Sequence, residues 1–364
     1  MKIGLDAKRA FLNYTGLGNY SRNVILSLLE NYPDNEYYLF TPDPGFHPFL
    51  DEIRKHKNVF VIMPKSKSFS SRWRSYGITH LVNKLNLDVY HGLSNELPFN
   101  IKKTKVKKIV TIHDLIPFKD DTFRNVFDDF FARRKMRAAC KNADIITAIS
   151  EETKKDIIGL FGTSETKIKV VYQPVGFKVN ESTDDVRKKY SLPDKFILQV
   201  GTVEYRKNIQ IILKALIKLK LPDLHLVIVG KKASFFKALH SYSSNHGLGN
   251  LVHFIDPVSN EDLSGIYKES FAVMYPSLYE GFGLPIIEAI SYNKPVLTTK
   301  GGCFEEAGGP GAFYCDTESV DEVADTLVKI LETDSSSHLA AGKQYITRFT
   351  AKATADGLMN LYHK

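Results

Sequence analysis

Glu280 and Glu288 stand eight positions apart across Gly281-Phe282-Gly283-Leu284-Pro285, and this segment carries the strongest chemical signal in the chain. Two glycines beside a carboxylate, with proline where a helix opens, describe a strand-to-helix turn whose backbone a ligand can approach. The helix start presents unpaired N–H groups and a positive dipole end, suited to a phosphate or a sugar hydroxyl. The spacing places Glu280 before that helix and Glu288 about one turn inside it. Both carboxylates can then accept hydrogen bonds from one polyhydroxylated ligand. A capped helix start with two solvated glutamates has the same spacing, and both readings stay open at this point.

Further residues of chemical interest follow other apolar runs. After Phe196 to Val200 comes GTVEYRKN, with Arg206 and Lys207 just before a helix opening at Asn208, a plausible N-cap. Two cations at the positive end of a helix are unfavourable by themselves, so the pair points to a phosphate. His113 and Asp114 end the run Lys108 to Ile112, at the strand rim where sites form. A lone histidine is more often structural than catalytic, and its expected role is a hydrogen bond. In NYTGLGNYSRN, Gly16 and Gly18 precede a helix, but Ser21 occupies the third glycine's place and some ten residues separate the motif from the first strand. A dinucleotide fingerprint therefore fails on spacing.

The elements that must position these residues alternate along the chain. Strand-like runs Lys2 to Asp6, Glu36 to Phe40, Val59 to Met63, Val89-Tyr90, Lys108 to Ile112 and Ile145 to Ile149 occupy the first half. Phe196 to Val200, Leu224 to Val229, Val252 to Phe254, Phe271 to Tyr275 and Pro295 to Thr298 follow in the second. Helical patterns lie between them, including Gly18 to Leu29 and Ile209 to Leu219, the latter apolar at 209, 212, 213, 216 and 219. This alternation predicts an α/β protein of two doubly wound parallel-sheet domains facing across a cleft. The polar stretch 180–195 is the expected boundary: a domain over 1–180, a second over 181–345, and a final helix over 346–364.

A chain of 364 residues with 43% apolar and 25% charged content is that of an ordinary globular protein with room for two cores. No run approaches the length of a membrane span, and MKIGLDAKRA reads as a first strand rather than a leader. Cys140, Cys303 and Cys315 lack metal-ligand spacing and fit a reducing cytoplasm, the expected location. Charge is uneven: residues 1–178 carry 29 Lys and Arg against 19 Asp and Glu, the remainder 20 against 22. Basic residues gather in Lys65 to Arg74 around Trp73, in Lys102 to Lys108 and in Arg133 to Arg137. Such a face suits an anionic membrane surface, and it equally describes a solvated basic face.

Tyr275 to Ala289 resembles the paired-glutamate signature of retaining glycosyltransferases of the GT-B fold, specifically family 4, and the likeness extends over most of the chain in matching order. The resemblance implies that Glu280 contacts the donor sugar with Gly281, Phe282, Gly283 and His113, and that Glu288 holds the ribose. It places Arg206, Lys207, Gly283 and Leu284 on the donor diphosphate, with Gly16 and Gly18 closing over it, and Val258 and Ser259 beside the nucleobase. Many members carry arginine directly after the first glycine, where this chain has Thr202, so Arg206 is expected to take that part. The usual proline before Glu305 is replaced by Phe304, and no contact is assigned to Glu305. His113, Glu280 and Lys207 are the implied catalytic residues.

The Asp-x-Asp motif of the other major glycosyltransferase fold is absent and no metal-ligand cluster is evident, so neither cofactor nor metal is expected. The expected substrates are a nucleotide sugar, its hexose of mannosyl type, and a glycan or lipid-linked acceptor of surface polysaccharide synthesis. The resemblance also implies retention of anomeric configuration and possible attachment to the inner face of the cytoplasmic membrane. A nucleotide-sugar epimerase and a basic nucleic-acid-binding protein are the competing readings, although no nucleic-acid partner is expected.

Overall fold

The computed structural model describes residues 1–14, 16–119, 126–175 and 185–363. The expected boundary segment falls partly at 180–184, outside the described residues. The chain divides into two compact units, residues 1–176 together with 349–364, and residues 177–348.

In the first unit, short apolar runs form β1 (Lys2–Asp6), β2 (Glu36–Phe40), β3 (Val59–Ile62), β4 (Val89–Gly92), β5 (Lys107–Ile112), β6 (Ile145–Ala148) and β7 (Ile168–Val170). They hydrogen-bond in the order β3-β2-β1-β4-β5-β6-β7, every pair parallel. Parallel strands need crossovers, and the intervening helices bury both sheet faces. The order reverses between β1 and β4, which is where ligands gather in open sheets of this kind. The helix Ala351–His363 packs on the helix Gly16–Asn31. Its Tyr362 hydroxyl lies 2.7 Å from His91 Nδ1, and Lys107 Nζ donates to the Tyr362 carbonyl at 3.1 Å.

The second unit holds β8 (Phe196–Val200), β9 (His225–Val229), β10 (Val252–Ile255), β11 (Ala272–Tyr275), β12 (Val296–Thr299) and β13 (Phe313–Cys315). Their order is β10-β9-β8-β11-β12-β13, again all parallel. The reversal lies between β8 and β11, so whatever follows those two strands shares one rim. The stripe of the helix Ile209–Leu219 buries Ile209, Ile212, Leu213 and Leu216 against the sheet.

β1, β2 and β8 have the expected ends, and the other expected strands differ from theirs by one or two residues. β7 and β13, three residues each, escaped the sequence reading because so short a run has too few positions to show a period. The first long helix opens at Gly16 rather than Gly18, so both glycines sit inside it instead of in a preceding loop. A Cβ on Gly18 would come within 1.8 Å of the Asn13 carbonyl oxygen. That glycine is required by close packing within the first unit. No helix among the described residues is long and apolar enough to cross a membrane.

Candidate functional site

The C-terminal ends of β8 and β11 lie side by side, because Ile197 pairs with Ala272 and Leu198 with Val273. Gly201 leaves β8 with φ +139°, a conformation few other residues adopt, and a Cβ there would meet Lys207 Cε at 3.1 Å. The missing side chain thus makes room for the lysine that follows six residues later. Tyr205–Lys207 forms a single 3₁₀ turn before the helix Ile209–Leu219. Asn208 occupies the N-cap position in a left-handed conformation, but its side chain makes no cap bond; it donates instead to the Thr317 carbonyl at 2.8 Å. The expectation of a capping asparagine is corrected accordingly, since the αL backbone turns the amide outward from the helix's own N–H groups.

On the opposite side of the rim, the chain leaves β11 through Pro276 to Tyr279 and reaches Glu280. Lys207 Nζ lies 2.6 Å from Glu280 Oε1, and Arg206 Nη1 lies 2.7 Å from the same oxygen. The Lys207 ammonium also donates to the Tyr275 hydroxyl at 3.1 Å and sits 4.9 Å from that ring's centroid. Arg206 is fixed by Glu204 Oε1 at 2.6 Å and by the Tyr279 carbonyl at 2.6 Å. These side chains are nearly buried: 13% exposed for Arg206, 10% for Lys207 and 12% for Glu280. Burial alone would push the Glu280 carboxyl up, but Lys207 and Arg206 overcome it and hold the group down at about 2. Arg206 is likewise held charged: burial opposes its charge, and Glu280 with Glu204 more than compensates.

Gly283 caps the helix Leu284–Ser291 with φ +123°, and Pro285 stands in its first turn. Phe282 is buried beneath the turn, so side-chain packing anchors it while the glycines flank it. Glu288 faces inward from the helix and accepts a hydrogen bond from the Tyr267 hydroxyl at 2.7 Å. Burial pushes its carboxyl up to about 7, despite the Tyr267 hydrogen bond and the field of Lys207. Tyr267 stacks on Tyr292 with centroids 5.4 Å apart, and the Tyr292 hydroxyl lies 2.6 Å from Ser264 Oγ. The two glutamates are therefore not solvated, and the bland reading of their spacing falls. They are held by different partners, one ionic and one phenolic.

Other expected residues divide between the units. Ser259 accepts from the Asp262 amide at 3.2 Å as the cap of the helix Asn260–Glu269, and Val258 precedes it after β10. Glu305 accepts from the Gly301 amide at 2.9 Å, a local turn contact. In the first unit, His113 is buried just past β5; its Nε2 donates to the Leu93 carbonyl at 2.8 Å and its amide donates to Asn95 Oδ1. That bond selects the Nε2–H tautomer and leaves Nδ1 as the lone-pair nitrogen. Burial pulls His113 down to about 4, so the ring is neutral at ordinary pH. Tyr20 presents its ring edge-on to His113 at 4.4 Å, and its hydroxyl reaches Thr111 Oγ1 at 3.1 Å. His91 Nε2 lies 2.8 Å from Thr111 Oγ1 as well.

Several supporting roles were not anticipated. Tyr267 lies outside the motifs, and Tyr275 and Glu204 lie within them without an expected role; all three gain their contacts only through the fold. Buried Asp6 and Arg74 form an ion cluster with the half-buried Glu96 at the β1–β4 reversal, with Arg74 2.7 Å from Asp6 and 3.2 Å from Glu96. Arg74 therefore leaves the supposed basic face of Lys65 to Arg74. Lys108 is similarly committed to Asp144 at 3.0 Å. Arg133 and Arg137 lie over the Phe118 ring, and Arg134 over Phe99. Among the described residues, no group of three or more His, Cys, Asp or Glu converges as metal ligands do.

A doubly wound sheet in each unit, with a buried cationic pair and a carboxylate at the second unit's strand reversal, defines the GT-B architecture. The HepE protein of Anabaena, solved in complex with UDP and glucose, shares it: TM-score 0.74 at 18% identity, covering 100% of this chain and 99% of that one. A family model described as glycosyl transferases group 1 matches residues 182–345, and one described as glycosyltransferase family 4 matches residues 15–176. The chain belongs to these glycosyltransferases and is a transferase enzyme. It is 26% identical over 269 residues to the O-antigen chain mannosyltransferase B of Escherichia coli, an alignment covering 70% of this chain and 68% of the relative. It is 29% identical over 211 residues to the O-antigen chain mannosyltransferase RfbU of Salmonella typhimurium strain LT2, covering 57% of this chain and 56% of that protein.

Proposed function

We propose that the chain transfers a hexose of mannosyl type, with retention, from a nucleoside diphosphate sugar to a glycan or lipid-linked acceptor in surface polysaccharide synthesis. The observation that carries the donor half is the convergence of Lys207, Arg206 and Glu280 beside the start of the helix Leu284–Ser291. Two nearly buried guanidinium and ammonium groups at a helix tip suit a diphosphate. The mannosyl type and the acceptor class rest on the names of the relatives.

In this reading, Arg206, Lys207 and the amides of Gly283 and Leu284 receive the diphosphate. Glu280 accepts from the sugar hydroxyls with backbone help from Gly281 and Phe282, and Glu288 accepts from the ribose. Val258 and Ser259 meet the base through their backbone. His113 accepts a sugar hydroxyl at Nδ1, the nitrogen that its Leu93 bond leaves with a lone pair. The bond from the anomeric carbon to the diphosphate oxygen breaks while a bond to the acceptor oxygen forms on the same face. The acceptor's proton passes to the departing diphosphate. Lys207 and Arg206 stabilise the charge that develops there, so transfer needs no metal ion. The enzyme works at the inner face of the cytoplasmic membrane, with the remaining basic residues of the N-terminal unit toward anionic lipid.

A thermal-shift panel of GDP-, UDP- and dTDP-sugars tests the donor. GDP-mannose is expected to raise the melting temperature most, since a ligand at 100 times its dissociation constant adds about 2.7 kcal/mol to the native state. Nucleotide release should then depend on added acceptor and survive a chelator. Stabilisation by no sugar nucleotide, or conversion of the donor without acceptor, would remove the proposal.

A further inference from the structure

Both cations assigned to the diphosphate already have an anionic partner on this chain. A single oxygen, Glu280 Oε1, stands 2.6 Å from Lys207 Nζ and 2.7 Å from Arg206 Nη1. Glu204 holds the other arm of the guanidinium at 2.6 Å. The carboxylate is fixed from its backbone too, where Cys303 Sγ donates to the Glu280 carbonyl at 3.3 Å. A carboxylate and a phosphoryl group are the same kind of acceptor for these donors, charged and able to take charge-assisted bonds. A phosphoryl oxygen placed between the two cations, where Glu280 Oε1 now stands, displaces that oxygen.

We infer that Glu280 is a built-in competitor for the donor's diphosphate, which it yields only when a sugar is attached to that diphosphate. The inference rests on the diphosphate reading of Arg206 and Lys207 given above. A nucleoside diphosphate that displaces Glu280 leaves a nearly buried carboxylate without its two cations, and an unpartnered buried charge is strongly unfavourable. A nucleotide sugar brings hydroxyls that donate to the freed carboxylate. The substrate class recognised is therefore the loaded donor as against the spent nucleotide, and the same competition helps the product leave after transfer. Glu280 would in this way set selectivity between donor and product as well as touching the sugar.

The test is calorimetric titration of inorganic pyrophosphate, UDP and GDP, and of the sugar nucleotide preferred in the panel, into wild type, Glu280→Gln, Glu280→Asp and Lys207→Ala. Gln keeps an acceptor for Lys207 but removes the competing charge. The expected gain for pyrophosphate and the cognate nucleotide in Glu280→Gln is about tenfold, on the scale of one charge pair, while the preference for the sugar nucleotide over the nucleotide shrinks. Glu280→Asp, whose carboxylate is one methylene shorter, should show the same trend with a smaller gain and answers the question if the Gln variant does not fold. Equal or weaker binding of pyrophosphate and nucleotide in the Glu280 variants, with binding still lost in Lys207→Ala, overturns the competition and leaves the diphosphate site standing. Binding unaffected by Lys207→Ala, or none to any of the proteins, overturns the diphosphate site itself.

Discussion

Lys207 and Glu288 show how far environment decides what a side chain can do. Lys207 is a surface-type residue made almost inaccessible, and it survives there because Glu280, the Tyr275 hydroxyl and the Tyr275 ring all accept its charge. In the proposed function, its removal takes away one charge-assisted contact to the leaving group. Lys207→Ala is expected to lower the rate of transfer by about 10²–10³-fold. Steady-state turnover with the cognate donor checks this, and wild-type activity would remove the lysine from the site. Glu288 is the opposite case, a carboxyl that accepts from a phenol and feels Lys207 only through its field. Its pKa of about 7 in the folded chain lies above that of an unfolded glutamate. Below the unfolded value both states are protonated and nothing is lost. Between there and neutrality the unfolded chain releases its proton first, so stability falls as pH rises, by up to about 3 kcal/mol, and stays low above. Glu288→Gln keeps the oxygen that Tyr267 donates to and abolishes the titration. Denaturant unfolding at pH 5 and pH 8 should then show a smaller loss in the variant than in wild type.

At the scale of elements, the turns after β8 and β11 are the decisive pieces. Each carries a glycine at positive φ: Gly201 opens the turn after β8, and Gly283 closes the turn after β11, just before the helix. Such turns give the rim its shape without long mobile connections. The helix Gly16–Asn31 depends on a glycine for a different reason, the approach of the Asn13 carbonyl to Gly18. Because the obstructing atom belongs to the backbone, it cannot rotate aside. Gly18→Ala should cost about 1–3 kcal/mol or more through overpacking, visible as a lower melting temperature, and a neutral result would mean the helix start relaxes freely.

For the molecule as a whole, the last sixteen residues belong with the first unit rather than with the sequence that precedes them. The helix Ala351–His363 is tied in by a hydrogen bond from the Tyr32 hydroxyl to Asp356 at 2.8 Å, by Thr354 Oγ1 to the Tyr172 carbonyl at 2.9 Å, and by Tyr362 to His91. The last contact opens a buried chain of polar groups, His91 to Thr111 and Thr111 to Thr147 and Tyr20, that ends against the ring of His113. Tyr362→Phe leaves His91 Nδ1 buried and without its partner. A loss of about 1–3 kcal/mol is expected in the unfolding free energy of the N-terminal unit. An unchanged value would show that the helix is held by its apolar face alone.

The sequence by itself determined the α/β alternation, the helix Ile209–Leu219 to the residue, and the identity of Glu280, Glu288, Arg206, Lys207 and His113 as candidates. Those features are local: period, glycine and proline punctuation, and cations set against a helix dipole all act within a dozen residues. The tertiary structure decided what was paired with what. Only the β8–β11 adjacency brings Lys207 and Arg206 to Glu280, more than seventy residues away, and only those two cations separate a buried glutamate held near 2 from another raised to about 7. The same holds for Tyr267, Tyr275 and the Asp6–Arg74–Glu96 cluster, whose partners are distant in the chain. Charge pairing and desolvation depend on distance in space, which no spacing along the sequence encodes.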